Sequence, residues 1–250
     1  MLPILFPALN KTIHNDQPVR YHAFDTYSHT ILTLQALQEI NQDYLTRFAV
    51  LYHDVGKVDQ YNAYEQAKNR EEIRSVVAGP LNHRASSPEL MKQDFRTLGF
   101  SNKEIETIAW YIAHHHTPGE ILIAHPNHRE KKVRKLLSEK GYEMVSNLLD
   151  INIADRIGQS NPLQNSCDLR DAYELKTILE KLNQEEGQFK TSDLAVKGTL
   201  LMQELQIPAG PLVGELLEHA FDRVLTNIEE RNKEKEIIVY LKNYLKNRKQ

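Results

Sequence analysis

Apolar side chains recur three and four positions apart along almost the whole chain, and nowhere do they alternate as a half-buried strand would require. Leu45, Phe48, Ala49 and Tyr52 fall at i, i+3, i+4 and i+7, the buried stripe of a helix, with Gly56 as a natural terminator. Asp25 stands where it can cap a helix carrying Ile31, Leu32, Leu34 and Leu37. Ser87-Pro88-Glu89 reads as an N-cap, a first-turn proline and a first-turn acid, with Gly99 as the stop. Ser101 and Glu104 form a capping box ahead of Ile105, Ile108 and Ile112, and Thr117-Pro118-Gly119 closes that helix. A further helix is expected from Tyr142 to Ile157. The expected fold is all-α.

A polar stretch from Gly158 to Cys167 is the expected joint, followed by a charged helix from about Asp168 to Leu182. The last helical region starts near Ser192 and is broken by Ile207-Pro208-Ala209-Gly210-Pro211. Gly214, beyond that elbow, invites the close approach of another backbone. The chain thus divides into a larger helical domain over 20–160 and a smaller helical region over 168–250. An apolar content of 40% and a charged content of 26% are those of an ordinary globular protein. A net charge of -3 gives no general footprint for nucleic acid, so any such contact must be a local patch. The stretch from Arg231 to Gln250, with seven Lys/Arg against two Glu, is the place for one, although a solvated helix face accounts for the same residues. The single cysteine, Cys167, excludes an intrachain disulfide and a cysteine-rich zinc site, and fits a reducing compartment. No basic leader precedes the apolar start and no window approaches a membrane span, so no membrane contact and a cytoplasmic location are expected.

Chemistry enters where helices end. The stripe through Tyr52 leads directly into His53-Asp54, two side chains about 100° apart around the helix axis. His29 shares a face with Leu32, Ala36 and Leu37 and should point inward. Asp155 follows a largely apolar run on another helix. Two imidazoles and two carboxylates suit a six-coordinate divalent ion with positions left for water and a phosphate oxygen. Any one of these histidines alone reads as well as a core or surface residue; the ordered set makes the argument. In the cluster His114-His115-His116, His115 continues the Ile108-Ile112 stripe, His116 lies four beyond Ile112, and His114 falls off it. His14, His125, His128 and His219 lack such context and read as surface residues.

His29, the run His53-Asp54-Val55-Gly56-Lys57, His83, the His114–His116 cluster and Ile153-Ala154-Asp155-Arg156 together resemble the HD-domain phosphohydrolase superfamily, in matching order from about Arg20 to Gln159. The resemblance implies a helical bundle in which His29, His53, Asp54 and Asp155 hold one metal. It implies His83 and His115 as ligands of a second, with Asp54 bridging the two. The cofactor is then one or two divalent ions, with manganese, magnesium, nickel, cobalt or iron all compatible with the donors. Asp54 and Lys57 become the catalytic pair. Lys57 would take charge on a phosphate oxygen or, on the plainer reading, solvate the surface. His22, Arg84, His116 and Arg156 are the further substrate contacts, and a loop from Val58 to Arg74 would shape the pocket.

Ser192 to Met202, the Pro/Gly elbow and Leu212-Val213-Gly214-Glu215-Leu216-Leu217, with Asn227 and Asn232 beyond, look like the C-terminal region of bacterial CCA-adding enzymes, the tRNA nucleotidyltransferases. Nothing resembles the nucleotidyltransferase head of that family, so nucleotide addition is not expected. The expected activity is metal-dependent hydrolysis of phosphate monoesters or diesters of nucleotides or RNA ends, with tRNA contact through the basic C-terminal region. The alternative is an RNA-binding or assembly module with little or no turnover.

Overall fold

The computed structural model describes residues 2–16, 24–159, 169–185 and 187–248. Among them there is no strand. The helices are α1 (Leu2–Leu5), α2 (Pro7–Asn10), α3 (Thr26–Ile40), α4 (Tyr44–Tyr52), α5 (Lys57–Gln66), α6 (Arg70–Ala78), α7 (His83–Arg96) and α8 (Asn102–His114), then α9 (Thr117–Ile123), α10 (Pro126–Lys140), α11 (Tyr142–Gln159), α12 (Arg170–Glu185), α13 (Gly198–Leu205), α14 (Pro211–Thr226) and α15 (Glu234–Arg248). The all-α expectation holds.

Two compact units emerge, one from Met1–Ala124 with Ser146–Lys176, the other from His125–Val145 with Thr177–Gln250. The sequence-based division at 160/168 cuts the chain elsewhere. α10 belongs with the C-terminal helices because it packs on α14, with the buried Arg134 donating to the carbonyl of Leu225 at 2.9 Å. The segment before residue 20 belongs to the first unit: the main-chain N–H of Ala8 and the hydroxyl of Tyr52 both bond Asp94 Oδ2, at 3.1 and 2.6 Å.

In the first unit α8 packs against α4 and α7, and α3 against α4. The expected stripe of Ile105, Ile108 and Ile112 is buried, with Tyr52, Phe95, Leu148 and Ile151 in the same core. The caps at Asp25 and Ser101 form as expected, the latter with Glu104 completing a capping box. Gly99 and its left-handed φ of 79° end the preceding segment.

Four local readings are corrected. α7 starts at His83 under an Asn82 cap, so Pro88 lies inside the helix, and Ser87 is buried with its Oγ accepting the N–H of Gly56 at 2.9 Å. Thr117-Pro118 opens α9, where a first-turn proline loses no helical bond. The expected loop from Val58 to Arg74 is largely α5 and the start of α6, the latter capped by Asn69. The glycine roles also change. Gly56 stays right-handed, in a turn that separates α4 from α5, and a Cβ there would strike Ser86 and Ser87. Gly158 is still helical, and a Cβ on it would lie 2.8 Å from the backbone nitrogen of Thr33. Gly214, by contrast, has nothing within 4 Å of where its Cβ would be.

The second unit closes over Phe189, Leu194, Val196, Leu201, Leu216, Phe221, Val224 and Leu241. α13 ends in a left-handed Gln206 (φ 54°), and Pro211 starts α14 beyond the expected elbow.

Candidate metal centre

Four side chains converge in the core of the first unit. His29 comes from α3, His53 and Asp54 from the turn after α4, and Asp155 from α11, and none is more than 4% exposed. His29 Nε2 lies 3.2 Å from His53 Nε2, 3.5 Å from Asp54 Oδ2 and 3.0 Å from Asp155 Oδ1. His53 Nε2 lies 3.3 Å from Asp54 Oδ2 and 3.5 Å from Asp155 Oδ1. Donors about 2.1 Å from one ion stand roughly 3.0 Å apart along an octahedral edge and roughly 3.4 Å along a tetrahedral one. The observed separations have the dimensions of a coordination shell. Two imidazole nitrogens facing each other at 3.2 Å also require a proton or a cation between them.

Asp54 faces two ways. Its Oδ2 meets His29, His53 and the ammonium of Lys57, the last at 2.6 Å. Its Oδ1 turns toward His83 Nε2 at 3.7 Å and His115 Nε2 at 3.9 Å. Asp54 Oδ1, His83 Nε2 and His115 Nε2 are buried without a hydrogen-bond partner. Leaving three such atoms unsatisfied costs free energy unless something binds them together. His116 joins His83 and His115 in a second group of closely spaced donors, while His29, His53 and Asp54 form the first. His114 is turned away, bonded to the Trp110 carbonyl and stacked on that indole, as the helical phase implied.

The Nδ1 protons of two imidazoles have fixed acceptors. A carbonyl oxygen only accepts, so the 2.7 Å contact of His53 Nδ1 with Val50 O, and the 2.6 Å contact of His115 Nδ1 with Ile112 O, place a proton on each Nδ1. Each Nε2 then faces Asp54. Burial lowers the pKa of His53, but Asp54 and Asp155 outweigh it and raise it to about 10. Burial and the neighbouring imidazoles His116 and His53 push His115 well down, and burial brings His83 to about 4. Burial works against ionising Asp54, yet His53 and Lys57 hold its carboxyl well below the usual range. Asp155 is likewise depressed, against burial, by hydrogen bonds from His29 and His53. One half of the cluster therefore attracts a cation strongly, and the other presents neutral nitrogen donors. Both suit a divalent metal.

The HD domain family model matches residues 26–158, just over half of the chain. The chain belongs to the HD-domain family. HD domains are typically those of metal-dependent phosphohydrolases, and they bind divalent ions. The chain is also 39% identical over 57 residues to the Multifunctional CCA proteins of Legionella pneumophila, Thioalkalivibrio sulfidiphilus and Shewanella denitrificans. That match takes in 22% of this chain and 14% of each relative's length. No solved structure matches the chain.

Beside the HD-domain cluster lies a cavity of about 630 Å³, lined among others by Lys57, Tyr61, His116, Asn152, Asp155 and Arg156. This volume falls within the range of small-molecule sites. Lys57 is buried and pressed against Asp54 rather than solvating the surface. Arg156 reaches the wall but is bound to Asp171 by two bonds of 2.8 and 3.4 Å. Arg84 pairs with Glu120 and is not among the lining residues. His22 lies outside the described residues. Three supporting side chains escaped the sequence reading. Gln60 accepts two hydrogen bonds from His83. Gln159 donates to Asp155 Oδ2 at 3.1 Å, four residues away on the same helix, a spacing that could have revealed it. Asn152 donates to the His115 carbonyl, which leaves its buried Oδ1 as an unpartnered acceptor.

Proposed function

We propose that this protein is a metal-dependent phosphohydrolase acting on phosphate monoesters or diesters of nucleotides or RNA ends. The observation that carries the reading is Asp54, whose two oxygens face two separate groups of histidine nitrogens. His29, His53, Asp54 and Asp155 would hold one ion, and His83 and His115, sharing Asp54, a second. His116 stands at the second group and also on the cavity wall. A divalent ion held there would supply Lewis-acid polarisation of a phosphoryl oxygen and would lower the pKa of a water toward neutrality.

The chain's own residues supply the rest. Lys57, cationic because Asp54 overcomes the effect of its burial, holds a fixed positive charge at the wall where a phosphoryl group would lie. Tyr61 keeps its hydroxyl proton, since burial raises its pKa, and can donate to a phosphate oxygen. His116, lowered by burial, is a neutral imidazole. Arg156 is shared between the wall and Asp171, so it can give a second anionic group one face of its guanidinium.

An RNA-directed substrate is favoured by the similarity to proteins named Multifunctional CCA. Two cations of the basic tail are engaged by carboxylates of neighbouring helices rather than left for an RNA backbone. Lys242 pairs with Glu204 at 3.3 Å and Arg248 with Glu215, while Lys249 lies outside the described residues. The deciding experiment loads the purified chain with each of manganese, magnesium, nickel, cobalt and iron. Turnover is then assayed on nucleotide monophosphates, a generic phosphodiester and RNA with a phosphorylated end. Metal-dependent release of phosphate or alcohol is expected; silence with every metal and substrate would leave the binding-module alternative.

A further inference from the structure

Each imidazole N–H in the cluster needs an acceptor, and His83 cannot obtain one as its neighbours do. His53 and His115 follow helical turns and donate to the carbonyl three residues back. His83 is the first residue of α7, so no preceding turn of its own helix offers a carbonyl. Its acceptor comes from α5. Gln60, 7% exposed, places Oε1 at 2.8 Å from both the main-chain nitrogen and the Nδ1 of His83. A backbone N–H can only donate, so the atom it meets must be the amide oxygen, and Nδ1 must carry the proton. The amide nitrogen donates to the hydroxyl of Tyr64 at 2.5 Å; that hydroxyl would serve either orientation of the amide, so it is the donor-only N–H of His83 that fixes the place of the oxygen. His83 Nε2 is thereby left as a lone pair, without a partner, 3.7 Å from Asp54 Oδ1.

We infer that Gln60 is a positioning residue: it fixes the tautomer and ring orientation of His83 and so completes the second cation site. The inference rests on the reading that His83 and His115 bind a cation, and it concerns a residue that touches neither metal nor substrate. Outer partners of this kind govern metal affinity by orienting the ligand.

The test uses the full chain, treated with chelator and then titrated with manganese, with native protein, Gln60→Leu, Gln60→Glu and His83→Ala compared. Heteronuclear NMR of the imidazole nitrogens should show His83 as the Nδ1–H tautomer in the chelated native protein. Gln60→Leu should populate the other tautomer and lower manganese binding from about two ions per chain to about one. Gln60→Glu keeps an acceptor and should restore both readouts. If the native His83 carries its proton on Nε2, or if Gln60→Leu keeps both tautomer and stoichiometry, the inference is overturned. Should the leucine variant lose its near-UV circular dichroism, the native tautomer and the glutamate variant decide: a glutamate variant that loses the tautomer also overturns it. Equal manganese binding by native protein and His83→Ala removes the two-cation reading instead, and the tautomer still reports on Gln60.

Discussion

Replacing Gly158 by alanine should push apart the two helices that carry His29 and Asp155, the proposed metal ligands. Gly158 lies on α11 three residues beyond Asp155, and it faces Thr33 on α3, four residues beyond His29. An added Cβ would sit 2.8 Å from the Thr33 nitrogen and 3.0 Å from its Cα, where ordinary contact needs 3.4–4 Å. The Thr33 hydroxyl, closer still, can turn aside, but the nitrogen and Cα are backbone atoms that no rotamer change relieves, so the helices must separate by about 0.5 Å. The overpacking costs about 1–3 kcal/mol, against at most about 1 kcal/mol gained from alanine's helix propensity. The same displacement acts on the 3.0 Å approach of His29 to Asp155, so manganese affinity should fall about 10- to 100-fold. Urea denaturation in chelator measures the first effect, and calorimetric titration the second. Gly214→Ala on α14 is the control: nothing lies within 4 Å, and a gain of about 0.5–1 kcal/mol is expected. A Gly158→Ala protein as stable as the native one, with unchanged metal affinity, refutes the close-approach argument.

His53→Ala should abolish metal-dependent hydrolysis and reduce bound metal while leaving the helical circular-dichroism signal; wild-type turnover would remove His53 from the site. Asp54→Ala should in addition cost about 3–5 kcal/mol, because it strands the buried ammonium of Lys57. Asp54→Ala/Lys57→Met should recover most of that stability but no metal binding, and a double variant as unstable as the single one argues against the pairing. Glu104 is lowered to about 2 by hydrogen bonds from Ser101 and Tyr44. Its contribution to stability is therefore complete above its ordinary value of 4.5 and lost as the pH falls toward about 2. Urea midpoints across that interval should show Glu104→Gln less sensitive to acid than the native chain, and parallel curves would count against the capping box as the source.

Helical phase made much of this cluster readable. His29 and His115 could be placed inward because each continues an apolar stripe, and both are at most 1% exposed. His114 could be set aside by the same reasoning. What phase cannot reveal is an acceptor delivered from another helix. Gln60 lies on α5, a helix with Lys57 and Gln60 as its buried residues, so no apolar pattern points to its inner face. Gly158 is hidden for a related reason: a glycine in a polar stretch reads as a joint, and only the packing of α3 shows that it makes room. Ser87-Pro88 mimics a helix start, yet Asn82 caps the helix earlier and frees Ser87 to bond Gly56.

The cluster is built mostly where helices begin and end, and this explains why punctuation in the sequence carried so much chemistry. His53 and Asp54 follow the last turn of α4, His83 opens α7, and His115 and His116 separate α8 from α9. The last four carbonyls of a helix lack intrahelical donors. Val50 and Ile112 are such carbonyls, and they take the Nδ1 protons that aim His53 and His115 at Asp54. A histidine at the start of a helix faces the opposite deficit, an excess of donors, so His83 needs an acceptor from elsewhere and receives Gln60. His29 and Asp155 alone sit within helices, where burial in the core constrains them. A helix terminus is therefore a cheap place to fix an imidazole when it follows the helix, and a place that demands a second residue when it precedes one.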